Sequence, residues 1–75
     1  MMLLSNLKVG ESAKVTALLN PPKIKVRLEN IGLTCGVIVA LIRKAPLGDP
    51  IEIKLRDFYL ALRATDAEKI EVKKL

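Results

Sequence analysis

A chain of 75 residues, 51% hydrophobic and 28% charged, has enough apolar surface for one core but no material for a second, and is too apolar for a disordered segment. One cysteine and no histidine exclude an internal disulfide and remove the commonest general base and metal ligand, so packing alone must hold the fold. The net charge of +5 raises the question of an acidic partner, but the 13 basic residues are interspersed with 8 acidic ones and Phe58 and Tyr59 are the whole aromatic content, which argues against nucleic acid.

The opening Met1-Met2-Leu3-Leu4 lacks the charged start and apolar run of a secretory signal, and with the single cysteine this predicts a reducing, cytoplasmic setting. Leu4 and Leu7 before Gly10 suit a short helical turn closing one end of a core. From Ser12 to Leu19 the chain alternates, with Ala13, Val15, Ala17 and Leu19 on one face, which predicts a half-buried strand that Leu18 interrupts. At Asn20-Pro21-Pro22 the period changes. Asn20 is placed as a helix N-cap and Pro21 as the first helical residue, and Ile24, Leu28 and Ile31 then recur at helical spacing until Gly32 ends the helix.

The run Val37 to Ile42 is apolar on both faces and rich in β-branched residues, so it reads as a central strand, far short of the roughly 20 residues a membrane helix needs. Ala45 to Pro50 is a turn, because Pro46 and Pro50 cannot sit in a paired ladder. Ile51, Ile53 and Leu55 alternate with charged residues, and after Arg56-Asp57 so do Phe58, Leu60 and Leu62 with Tyr59, Ala61 and Arg63, giving a hairpin. Thr65 to Glu68 has capping-box spacing for one helical turn, and Ile70 to Lys73 forms the last strand. Five strands with one dry face each predict a mainly β fold, a small antiparallel barrel with one helix between the first and second strands and a helical turn before the last. Val15, Ile38, Ile53, Leu60 and Val72 are assigned to its interior, and residues 1–75 to a single domain.

Little in this pattern carries chemistry. The acids fall mostly in turns or on wet faces; Asp49 and Glu52 make at most half a metal site, and Asp49 between Gly48 and Pro50 is ordinary turn chemistry. Cys35 alone cannot complete a tetrahedral site and reads as a small filler, with a site shared across two copies or a redox-sensitive surface thiol as the alternatives. No Gly-Lys-Ser/Thr follows Gly32 or Gly36, which excludes a nucleotide-binding loop. Lys23, Lys25 and Arg27 do not share one helix face and read as solvated surface.

The punctuation is more specific. Arg27-Leu28, Ile31-Gly32-Leu33, Gly36 and the stretch Arg43 to Ile51, followed by Leu60 to Arg63, Ala67, Ile70 and Val72, resemble the ferrous iron transport protein A family. Leu4, Leu7, Gly10 and Glu11 are similar to its opening. The resemblance implies a Src-homology-3-like barrel and a cytoplasmic accessory role beside the membrane transporter, ferrous iron transport protein B, with no catalytic residue. It also implies transition-metal binding, of Fe(II) or another ion, which no ligand set in the sequence supplies independently. Two positions depart from the family pattern: Asp57 stands where the hairpin usually carries glycine, and Asn20-Pro21-Pro22 replaces a glycine-rich stretch. Leu18, Leu33, Leu47 and Tyr59, off the main periodicities or in turns, are the candidates for the partner surface, Leu33 serving alternatively as a helix-end staple and Leu47 as cover for the barrel mouth. The competing readings are a basic nucleic-acid-binding barrel and a metal carrier or sensor.

Overall fold

The computed structural model describes residues 1–75. Its strands are β1 (Met2–Leu3), β2 (Ser12–Leu18), β3 (Ile38–Lys44), β4 (Ile51–Leu55), β5 (Phe58–Leu62) and β6 (Ile70–Lys74), with helices α1 (Pro22–Ile31) and α2 (Ala64–Ala67) and a 3-10 turn at Leu4–Asn6. All strand pairs are antiparallel, in the spatial order β1-β6-β2-β3-β4-β5. Strands β2 to β6 all send buried residues into one cluster, and the molecule measures 29 × 27 × 24 Å, near-equal extents in which the sheet curls around its own core. The sequence predicts five strands; the sixth is β1, whose two residues pair with Val72 and Glu71. Two residues are too few to show an alternation.

Sixteen buried apolar side chains form one cluster, each worth about 1.5–3 kcal/mol when a large aliphatic group is fully buried. β4 contributes Ile51, Ile53 and Leu55 and β6 contributes Ile70 and Val72, as their alternation predicts. In β2 the register against β6 shifts between Val15 and Ala17. This irregularity flips the inward phase, so Leu18 enters the core at 5% exposed while Leu19 is 58% exposed. Leu18 is therefore a core residue and not part of a contact surface. In β3, Val39 and Leu41 point inward and Ile38 is exposed; because that run is apolar on both faces, alternation cannot fix its phase.

Helix α1 begins one residue later than the sequence suggests, with Pro21 as N-cap and Pro22 in the first turn. Asn20 does not cap it: the side chain turns inward and its Nδ2 donates to the Asp66 carbonyl at 3.0 Å. At the other end Gly32 adopts φ 109°, and Leu33 N–H bonds the Leu28 carbonyl at 2.9 Å while Gly32 N–H bonds Glu29 at 3.0 Å. These paired bonds close the helix and drive Leu33 into the core with no exposure. Leu33, too, leaves the set of surface candidates and is the helix-end staple instead. Of the residues at helical spacing in α1, Leu28 is buried and Ile31 lies at the surface.

Candidate interaction surface

The acids singled out by sequence are committed to the fold. Asp49, at the end of the turn before β4, accepts the Ala64 N–H on Oδ1 at 2.9 Å and so caps α2 from fifteen residues away, where a capping box at Thr65 was expected. Arg63, not Thr65, is the N-cap residue, and its side chain makes no cap bond. Glu52 on β4 pairs with Arg43 on β3, Nε to Oε1 at 3.0 Å. Cys35 sits exposed in the loop before β3 with its Sγ 3.5 Å from the Thr16 carbonyl, so it is a surface thiol and not a buried filler. No three His, Cys, Asp or Glu side chains come together. The donor set does not fit a transition-metal centre within one chain.

At the rim formed by the 3-10 turn and the C-terminal strand, Glu11 accepts the Lys8 N–H and forms an ion pair with Lys74. The Lys74 ammonium, and then the Lys8 amide, hold the Glu11 carboxyl below its ordinary pKa. This is a clasp joining the start of β2 to the end of β6.

The other end of the sheet is different. The β4–β5 hairpin turns at Arg56-Asp57, and the left-handed residue is Arg56, at φ 56°, not Asp57. β5 pairs only with β4. Phe58, expected inside, is 39% exposed and Tyr59 57%; Leu60 only packs against the core's margin. An edge strand at the seam of a curled sheet has no neighbour to close over its first residues. The Lys54 ammonium lies 5.9 Å from the Tyr59 ring centroid, close enough for a weak cation–π contact that orders the ring.

Ala61, on the same face as Tyr59, borders two grooves. One, of about 320 Å³, is lined by Arg43, Lys44, Pro46 and Glu52 among others; the second, of about 450 Å³, by Asp49, Pro50, Leu62 and Arg63. Leu47 stands at the tip of the adjoining turn, 97% exposed. Of the four sequence candidates for the partner surface, Tyr59 and Leu47 are on the surface, and Phe58 and Ala61 join them. Sequence reasoning missed Ala61. The available signal was the absence of any charge from Phe58 to Leu62.

No helix is long and apolar enough to cross a membrane. Residues 2–74 match the family profile described as the FeoA domain. The Fe(2+) transport protein A/Fe(2+) transporter FeoB fusion protein of Porphyromonas gingivalis is 32% identical over 71 residues, which is 95% of this chain and 8% of that protein. This chain thus spans less than a tenth of that curated relative. The solution structure of FeoA from Chlorobium tepidum superposes with a TM-score of 0.94 at 42% identity, covering 99% of this chain and 70% of that one. A zinc complex of FeoA from Stenotrophomonas maltophilia, described as a procaryotic SH3 domain protein and a candidate ferrous iron transport activating factor, gives 0.83 at 30% identity over 97% and 91% of the two chains. Fold, chain-wide profile and relatives agree: the chain belongs to the FeoA domain family, which is linked to ferrous iron transport.

Proposed function

We propose that this chain is a cytoplasmic accessory protein of ferrous iron uptake that works by binding the membrane ferrous iron transporter and turns over no substrate of its own. The observation that carries the reading is the Porphyromonas gingivalis relative, in which a similar segment is joined to the transporter in one polypeptide. Covalent linkage holds two modules at a high effective concentration, which serves a function carried out by contact between them. The exposed residues around β5 and the Ala45–Gly48 turn are suited to that task. Asp49 and Glu52 are committed to capping and ion pairing, and contact is the chemistry this surface offers.

The test is an affinity pull-down of the tagged chain from detergent-solubilised membranes of its own host, grown without oxygen in low iron, in parallel with a Tyr59→Ala variant. Recovery of the ferrous transporter by the native chain, reduced at least tenfold by the substitution, is the expected result. Recovery of nucleic-acid-associated proteins that wash off with salt, and no transporter, would replace this reading with that of a basic nucleic-acid-binding barrel.

A further inference from the structure

β5 is an edge strand that lacks the usual protections. Natural sheets blunt an edge with charged side chains, proline or a bulge. β2, β3, β4 and β6 each carry at least one charged residue, and the β2–β6 and β3–β4 ladders are interrupted by register shifts. β5 reads Phe58-Tyr59-Leu60-Ala61-Leu62, with no charge and no proline, and its register against β4 is regular throughout. The two-residue turn makes Leu55 and Phe58 a hydrogen-bonded pair, so Leu60 and Leu62 also bond to β4. The backbone N–H and C=O groups of Tyr59 and Ala61 therefore face the open edge. Neither residue appears in any turn, loop, cap or side-chain hydrogen bond of the molecule, and both side chains are exposed.

From this we infer that β5 is a docking edge for an extended, acidic peptide segment of a partner protein, which adds to the sheet as a further strand. The four free backbone groups supply the ladder, and Tyr59 and Ala61 supply side-chain contact on one face. Charge selects the occupant. Arg56 and Arg63 flank the strand and Lys54 lies across from Tyr59, outnumbering the carboxylates of Asp57 in the turn and Asp49 beside Ala64, while the charge of Glu52 is matched by Arg43. A second copy of this chain would bring the same cations, on a molecule of net charge +5, against one another. The occupant is therefore a peptide with carboxylates, about five residues in contact for a strand of this length. The inference does not depend on which protein supplies the peptide.

Backbone amide exchange read by NMR tests it, with a nine-residue peptide of alternating Glu and Val as probe and its Lys-for-Glu counterpart as control. The Tyr59 and Ala61 amides exchange freely in the protein alone and gain at least tenfold protection with the Glu peptide, while the Lys peptide leaves them unchanged. Ala61→Pro removes one outward N–H without touching a β4 bond, a position where an edge strand tolerates proline, and abolishes the protection at unchanged melting temperature. Should that variant fail to fold, Lys54→Glu with Arg63→Glu serves instead and reverses the preference toward the Lys peptide. No protection at millimolar Glu peptide, equal protection by both peptides, or concentration-dependent protection of the same amides without any peptide would each overturn the proposal.

Discussion

β2 and β5 show two ways of finishing a strand in the same sheet. β2 lies between β6 and β3, carries Lys14, and is kinked by a register shift that turns Leu18 into the core. Its start is clasped to the end of β6 by Glu11 and Lys74. β5 has one neighbour, a regular ladder, no charge and exposed aromatic side chains. The interior strand has its polar groups satisfied within the fold; the edge strand leaves them available. The fold's stability and its capacity for contact therefore reside in different strands, and substitutions should separate them.

The largest effect comes from Leu18, which with Tyr59 was expected on the contact surface. Leu18→Ala empties a buried site and should cost about 2–5 kcal/mol of stability, the range for such truncations. Tyr59→Ala removes a side chain that is mostly exposed and should cost under about 1 kcal/mol. Urea unfolding of the two variants measures the difference. Similar costs would break the comparison, because they would mean that β5 is as much part of the core as β2. A smaller effect belongs to Asp49, which joins the β5 side of the molecule to α2. Asp49→Ala leaves the first N–H of α2 without its side-chain partner and should cost about 1 kcal/mol, typical for loss of a helix cap. Asp49→Asn, which keeps an acceptor oxygen, should recover most of it. If both variants match the native chain, the bond is not an energetic cap.

These expectations also mark where the sequence was legible. β4 and β6 could be read residue by residue because Ile51, Ile53 and Leu55, or Ile70 and Val72, alternate with charged neighbours, so periodicity and polarity agree. Gly32 was legible because few other residues tolerate its φ. The phase of β3 was not, since Val37 to Ile42 is apolar on both faces, and the bulge in β2 depends on pairing with a strand fifty-odd residues later. Caps were misplaced for a related reason. Local spacing proposes Asn20 for α1 and Thr65 for α2, but Asn20 bonds to Asp66 and Asp49 reaches Ala64, partners that only the fold brings close. Exposure of the candidate residues was partly legible: Tyr59 and Leu47 lie at the surface as expected, Leu33 follows its helix-end staple reading, and Leu18 was misread as exposed because it broke the alternation. What breaks a pattern here is as often a bulge or a staple as a contact.

The smallest effect tests the clasp on β2. The Lys74 ammonium and the Lys8 amide lower the pKa of Glu11 in the folded chain. A carboxyl whose folded pKa lies below its unfolded value stabilises the fold above the unfolded pKa, and that contribution disappears as pH falls through the folded value. Glu11→Gln keeps an oxygen for the Lys8 N–H and loses the charge facing Lys74. The variant should therefore melt slightly below the native chain at neutral pH, and the gap should narrow as pH is lowered beneath the ordinary carboxyl pKa of 4.5. Salt should narrow it as well, because the pair is at the surface and is screened. A gap that stays constant across this pH range would show that the clasp acts through the geometry of its hydrogen bonds and not through charge. The binding edge should be indifferent to the substitution, since β3 and β4 stand between β2 and β5 in the sheet order; a change in peptide protection at Tyr59 and Ala61 in this variant would show that the two regions are coupled after all.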